Sequence, residues 1–205
     1  MSRATTITAI LFDVGGVLIT LDGVPSLSKL LGVEPSHDAL HQLWMTSASV
    51  VAHETGKIAA SEFAAGVVMD LGLPIAPEAF LADFCSWPGG LQPGAVELLD
   101  AIPRNYRIAA LSNTSAVHWE RIAATGLTRR FELTFLSHEM GYLKPSREAF
   151  LYALDSLDLP ASEVLSSMMA GGMSRRPRRS AYMRAWRVIH SKPVRSWSST
   201  ACYSR

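Results

Sequence analysis

Short apolar runs alternate along the chain with longer segments whose apolar residues recur at helical spacing. Residues 7–12 predict a buried β-strand because they are few, apolar and β-prone. Residues 107–111, 133–136 and 163–165 predict further strands of the same kind. Helical patterns separate or follow them, at residues 95–102, 115–125 and 145–157. This alternation predicts an α/β fold with a Rossmann-like parallel sheet covered by helices on both faces.

A second pattern fills the space between the first predicted strand and residue 87. Apolar stripes at helical spacing recur four times between residues 25 and 87 and predict several helices packed together. Pro88-Gly89-Gly90 is interpreted as the break that ends this region. The chain is therefore divided into a core of residues 1–20 and 92–165, a helical insertion of residues 21–91, and a remaining tail of residues 166–205.

The charge is distributed very unevenly. Residues 1–163 hold 10 basic and 18 acidic side chains, a balance of −8, whereas residues 164–205 hold 9 basic side chains and no carboxylate. The Arg-rich run at 175–179 could be a nucleic-acid-binding arm, but the tail has poor helical periodicity and no acidic partners. No specific nucleic-acid partner is expected, and much of the tail is expected to be loosely ordered.

Cysteine content and hydropathy bear on where in the cell the protein is expected. Cys85 and Cys202 could form one disulfide at most, so a reducing cytoplasm is the expected location. No run of about 18 apolar residues exists, so no membrane partner is expected.

Polar residues follow two of the predicted strands, at the ends where ligands bind in parallel sheets. Asp13 lies in a glycine turn directly after the first strand and could be a nucleophile, a metal ligand or a turn cap. Ser112, Asn113 and Thr114 could donate to an anion or cap the next helix. Lys144, before a proline, could neutralise a phosphate or be an exposed lysine.

Three motifs in this order resemble the haloacid dehalogenase-like (HAD) hydrolase superfamily. They are LFDVGGVL at 11–18, LSNT at 111–114 and GYLKP at 141–145, and the resemblance extends over about residues 7–165. The helical insertion resembles the C1 type of cap. The family resemblance implies that these segments share one active site beneath the cap.

The resemblance also implies roles for individual residues. Asp13 is the nucleophile that becomes an aspartyl-phosphate, Ser112 binds the transferring phosphoryl oxygens, and Lys144 offsets the charge on both. Mg²⁺ is expected between the Asp13 carboxylate, the Gly15 carbonyl and an acidic residue of a fourth motif. The expected substrate-binding positions are Gly16, Asn113 and Thr114.

Two departures from the family pattern bear on activity. Gly15 stands where related phosphatases usually carry a second Asp, which protonates the leaving oxygen and later activates water. Hydrolysis of a substrate with a good leaving group would be impaired least by this loss. After Val164 the chain reads SSMMAGGMS, without the acidic fourth motif, so the C-terminal part of the core is expected to be incomplete.

The tail permits a hypothesis based on the genetic code. Because methionine has one codon, reading Met168-Met169 one base earlier forces an aspartate, and Met169-Ala170 then forces a glycine. The earlier frame can spell the missing motif in register. The hypothesis is that one base was lost, or two gained, near the codons of Leu165 and Ser166.

The expected function is hydrolysis of a small phosphorylated metabolite, impaired by loss of the fourth motif. One alternative is an inactive family remnant that at most binds phosphate. A haloacid dehalogenase is a weaker alternative, because such enzymes usually carry an aromatic residue at the position of Gly15. Trp44, His53, Glu54 and Lys57 are candidates to line the cleft, and each could equally be a packing or surface residue.

Overall fold

Six strands and nine α-helices are present in the computed structural model, which describes residues 6–32 and 37–167. The strands are β1 (Ala9–Phe12), β2 (Ile19–Leu21), β3 (Pro88–Leu91), β4 (Arg107–Ser112), β5 (Leu133–Leu136) and β6 (Val164–Ser167). The helices are α1 (Gly23–Leu31), α2 (His37–Thr46), α3 (Ala48–Glu54), α4 (Ala60–Leu71), α5 (Pro77–Ser86), α6 (Ala95–Asp100), α7 (Ala116–Ala124), α8 (Ser137–Met140) and α9 (Arg147–Leu157).

A four-stranded parallel sheet forms the core, in the order β5-β4-β1-β6. All four residues of β1 are buried, and alternate residues face opposite sides of the sheet. Ile10 and Phe12 join one apolar cluster with α6 and α7, whereas Leu11 joins a second cluster with α9. The predicted α/β fold with a parallel sheet is confirmed.

Helices α1 to α5 pack around a separate core of aromatic rings. The ring centroids of Phe63 and Phe84 lie 4.7 Å apart, and those of Phe84 and Trp87 lie 5.0 Å apart. Phe63 and Phe80 are fully buried. These helices therefore have an apolar core of their own, and we call them the cap.

The segment interpreted as a break after the helices is in fact a strand. Pro88–Leu91 forms β3, which pairs antiparallel with β2 and so joins the cap to the core. A side chain at Gly89 would collide with the Thr20 hydroxyl, so glycine permits this close pairing. A proline and two glycines indicated a break in the sequence pattern, whereas in the structure Gly89 allows the close approach of two strands.

The last described strand extends past the predicted end of the core at residue 165. Ser166 and Ser167 continue β6 because their backbone pairs with Leu11 and Phe12. The remaining tail, including the basic run and the proposed altered frame, lies outside the described residues. Within 6–32 and 37–167, no helix is long and apolar enough to cross a membrane.

Candidate active site

Asp13 and Ser112 lie at the carboxyl ends of two neighbouring strands. Asp13 follows β1, and its backbone N–H donates to the Ser167 carbonyl at 2.9 Å, which fixes the strand end against β6. Ser112 is the last residue of β4 and is 2% exposed. Because β1 and β4 pair in parallel, both side chains lie at the same edge of the sheet.

Lys144 reaches Asp13 from the loop before α9. Its Nζ lies 2.6 Å from Asp13 Oδ1, and the two side chains are 8% and 15% exposed. Burial lowers the pKa of Lys144, and the Asp13 carboxylate opposes that shift. The pair places a shielded carboxylate and an ammonium group side by side at the sheet edge.

The side chain of Asn113 holds the backbone of Lys144 in place. Its Oδ1 accepts from the Lys144 N–H at 2.7 Å, and its Nδ2 donates to the Lys144 carbonyl at 3.0 Å. These two bonds use both ends of the amide group. Asn113 therefore positions the lysine that pairs with Asp13.

Thr114 is tied to the start of α8. Its N–H donates to Ser137 Oγ at 2.9 Å, and its carbonyl accepts from the same hydroxyl at 3.0 Å. The His138 ring also lies 3.2 Å from that carbonyl. Thr114 and Ser137 are both buried, so α8 fixes the loop that follows β4.

The turn after Asp13 is closed by its own backbone. Gly16 has a φ of 73°, which favours glycine, and its N–H donates to the Ile19 carbonyl at 2.8 Å. At Gly15, an added Cβ would lie 2.8 Å from Leu21 Cδ1, the end of a flexible and exposed side chain. Among the described residues, the three atoms nearest to such a Cβ all belong to Leu21.

The cap approaches this site through the end of α3. A side chain at Gly56 would collide with the backbone carbonyl of His138, so the turn after α3 lies directly on α8. Glu54, the last residue of α3, is partly buried and accepts a hydrogen bond from the Trp44 indole. Burial raises the pKa of Glu54 to about 7, and the positive charge of Lys144 opposes this shift.

Aromatic and histidine rings fill the rest of the boundary between cap and core. His118 on α7 stacks on Phe84 with centroids 3.9 Å apart and bonds the Phe84 carbonyl at 2.7 Å. Burial lowers the pKa of His118 to about 4. His53 stacks on Phe63 and is 6% exposed, and its pKa is also lowered by burial. Both rings are therefore neutral near pH 7.

Two buried polar atoms near this boundary lack a hydrogen-bond partner within the described part of the chain. They are Nε2 of His53 and Oγ of Ser115, the residue that caps α7. An unpaired buried polar atom costs free energy unless a ligand or water satisfies it. These two atoms are therefore hydrogen-bonding groups that the described residues leave unused.

A sequence model of the haloacid dehalogenase-like hydrolase family matches residues 7–165. The chain belongs to this family. The match spans β1, β4 and β5 of the parallel sheet and the first half of β6, and it includes Asp13, Ser112, Asn113 and Lys144. In this family member, the ion pair at the sheet edge joins Asp13 of the first motif to Lys144 of the third.

Solved structures share the fold. A HAD family enzyme from Bacteroides thetaiotaomicron is 25% identical, with a TM-score of 0.62, and the match covers 78% of this chain and 83% of that one. The same enzyme in complex with magnesium and inorganic phosphate has a TM-score of 0.61. The L-2-haloacid dehalogenase of Xanthobacter autotrophicus is 22% identical over 78% of this chain and 69% of that one, with a TM-score of 0.54, and shows the fold alone.

One curated relative matches a shorter stretch. The pyrimidine 5'-nucleotidase YjjG of Escherichia coli is 42% identical over 69 residues, which are 33% of this chain. The match spans about a third of that relative's length, 31%.

The donors present fit Mg²⁺ in part. Carboxylate and carbonyl oxygens, as at Asp13 and Gly15, are ligands that Mg²⁺ takes together with water and substrate phosphate. Over residues 6–32 and 37–167, however, no group of three or more His, Cys, Asp or Glu residues could hold a metal ion. The crystallised Mg²⁺ complexes of the Bacteroides relative support the expected cofactor.

The structure brings together most residues singled out by sequence. Asp13, Lys144 and Asn113 form one bonded group, and Ser112 lies at the adjacent strand end. Lys57 is exposed, whereas Trp44 is buried in the cap. Sequence reasoning missed the contribution of Ser137 and the protonation of Glu54, because neither residue stands in a motif and both depend on packing.

Proposed function

We propose that this hydrolase is a phosphatase that transfers the phosphoryl group of a small phosphorylated metabolite to Asp13. The observation that carries the proposal is the largely buried pair of Asp13 and Lys144, with Nζ and Oδ1 2.6 Å apart, at the carboxyl edge of the parallel sheet. The relatives support it, because one is named a nucleotidase and another is crystallised with magnesium and phosphate. A pyrimidine nucleotide is one substrate of the proposed class.

The chain's own residues divide the work as follows. An Asp13 oxygen attacks phosphorus in line with the leaving oxygen, forming an aspartyl-phosphate as the bond to the leaving group breaks. Lys144 offsets the negative charge that otherwise keeps a carboxylate from a phosphate. The Ser112 hydroxyl donates a hydrogen bond to a phosphoryl oxygen. Water then attacks the phosphorus, releases inorganic phosphate and regenerates Asp13.

Substrate-binding roles are proposed for Gly16, Asn113 and Thr114, each with a structural part already defined. Gly16 shapes the turn beside Asp13, Asn113 positions Lys144, and Thr114 fixes the loop to α8.

Magnesium is the proposed cofactor, held by Asp13 and the Gly15 carbonyl. When bound, it supplies positive charge that stabilises the transferring phosphoryl group. The missing acidic fourth motif leaves Asp13 as the one family-type carboxylate ligand. Turnover is therefore proposed to be weak.

The division into core and cap is proposed as above, with the cap of the C1 type. The tail beyond the described residues is proposed to result from a change of reading frame near the codons of Leu165 and Ser166. The gene sequence tests this directly. If the Ser167 codon does not end in G, or the Gly172 codon does not end in A, the fourth motif cannot be recovered.

A phosphate-binding protein without turnover is the second candidate. It is favoured by the lack of a metal-holding cluster of three acidic or metal-ligating residues over 6–32 and 37–167. A dehalogenase has weaker support, because the likeness to that enzyme shows only the fold.

The first test is hydrolysis of p-nitrophenyl phosphate with Mg²⁺ by the full chain. We expect slow turnover that disappears in Asp13→Asn. Phosphate binding without turnover would support the second candidate. Turnover that Asp13→Asn leaves unchanged would contradict the assignment of the nucleophile.

A further inference from the structure

The loss of a proton carrier at Gly15 raises the question of where else the site could find one. A glycine side chain cannot protonate a leaving oxygen or activate water. Lys144 is committed to Asp13, and Asn113 to the Lys144 backbone. The core residues named above, Gly15, Gly16, Ser112 to Thr114, Ser137, His138 and Lys144, include no second carboxyl group.

The cap provides one at the end of α3. Two carboxylates act on the Lys144 ammonium, Asp13 in direct contact and Glu54 at longer range. Glu54 is held by the Trp44 indole, and the turn after it lies against the His138 backbone. The same α8 turn fixes the loop after Ser112. Glu54 thus lies where the cap meets the loops that carry the motif residues.

We propose that Glu54 supplies and removes the proton for which the family uses the residue at position 15. The inference rests on the phosphatase activity proposed above. In the first step, phosphorus bonds to Asp13, the bond to the leaving oxygen breaks, and that oxygen takes the Glu54 proton. In the second step, water attacks phosphorus while Glu54 takes its proton, and the bond to Asp13 breaks. Glu54 ends protonated, Asp13 ionised, and inorganic phosphate is released.

The surroundings of Glu54 suit a group that cycles between acid and base. Burial brings the pKa of its carboxyl group to about 7, so both forms are populated near neutral pH. The charged group that acts on Glu54 is Lys144, from the loop before α9. His53 precedes Glu54 on α3, and it is His53 on which His138 of α8 acts. His53 is kept neutral by burial, which leaves the Lys144 ammonium as the main charge acting on Glu54.

Leaving-group dependence tests this role. In Glu54→Gln, kcat/KM for an alkyl phosphate such as glycerol phosphate should fall by about 100-fold or more. With p-nitrophenyl phosphate, whose phenolate leaves without a proton, kcat/KM should change by less than about tenfold. Hydrolysis of the aspartyl-phosphate would still be slow, so p-nitrophenolate should appear as a burst of one equivalent per enzyme.

A matched control separates this effect from a general loss of charge. Glu78 is an exposed carboxylate in the first turn of α5, on the same cap. Glu78→Gln should leave both substrates unaffected. An equal loss on both substrates in Glu54→Gln without a burst, or no loss on either, would overturn the proposal.

A second experiment introduces a carboxylate at position 15, where related phosphatases usually carry an Asp. Gly15→Asp with Leu21→Ala removes the steric contact at that position. Added to Glu54→Gln, this pair should restore alkyl-phosphate turnover at least tenfold. If a folded variant showed no gain in alkyl-phosphate turnover, the claim that a carboxyl group at either position transfers the same proton would be overturned.

The outcome for the wild type keeps the two proposals apart. Turnover that is abolished by Asp13→Asn but indifferent to Glu54→Gln would leave the phosphatase standing and refute the role of Glu54. A wild type without turnover would refute both.

Discussion

The core and the cap handle ionisable groups in different ways. At the sheet edge, Lys144 is held by the charge of Asp13 and the amide of Asn113. At the cap boundary, Glu54 and His118 are instead driven toward their neutral forms by burial. Pairing preserves charge, as phosphate binding requires, whereas burial brings a carboxyl group into the range where it can exchange a proton.

Removal of the core charge should have the largest effect. Lys144→Met leaves the Asp13 carboxylate facing an anionic phosphate, so kcat/KM should fall about 100- to 1,000-fold. The matched control is Lys29→Met, since Lys29 is an exposed lysine on α1. Activity within about threefold of wild type in Lys144→Met would show that the core pair is not what binds the phosphate.

The pH dependence of the free energy of unfolding should distinguish the contribution of Glu54 from that of His118. Glu54 has a pKa raised from 4.5 to about 7, so its contribution is present below pH 4.5 and is lost as pH rises through 7. His118 has a pKa lowered from 6.5 to about 4, so its contribution is present above pH 6.5 and is lost as pH falls through 4. Each amounts to about 3 kcal/mol at most.

These two contributions oppose each other in the wild type between pH 4.5 and 6.5. Urea unfolding should therefore show stability that rises with pH in Glu54→Gln and falls with pH in His118→Gln. Parallel curves for both variants would show that burial does not set the charge state of these groups.

The smallest expected effect concerns positioning within the core. Asn113→Ala removes two hydrogen bonds to the Lys144 backbone, which should cost about 1–3 kcal/mol and lower kcat about tenfold. Asn105→Ala, at an exposed turn, is the control. A loss as large as that in Lys144→Met would show that the proposed substrate contact of Asn113 outweighs its positioning of Lys144.

The core site could be predicted from sequence because its chemistry is local. Asp13 and Ser112 each follow an apolar strand, and parallel strands bring their carboxyl ends together whatever the loops do. The strand pattern likewise predicted the sheet. The two hydrogen bonds between the Asn113 side chain and the Lys144 backbone could not be predicted, since residues 31 positions apart meet only after folding.

The cap was predictable as helices but not as a source of chemistry. Glu54 ends a short helix in a segment without a motif, and its polar side chain alone resembles a surface residue. Its altered protonation follows from burial against Trp44 and the core, which no spacing rule encodes. The strand at Pro88–Leu91 could not be predicted either, because glycine occurs both at chain breaks and where two strands approach closely.

The most direct test is to trap the phosphoryl group on the protein. The full chain would be mixed with p-nitrophenyl phosphate and Mg²⁺, quenched in acid, digested and analysed by mass spectrometry. We predict one phosphoryl group on the peptide containing Asp13, absent from Asp13→Asn and accumulating to a higher level in Glu54→Gln. Phosphate on another residue, or turnover without any phosphorylated peptide, would contradict the account.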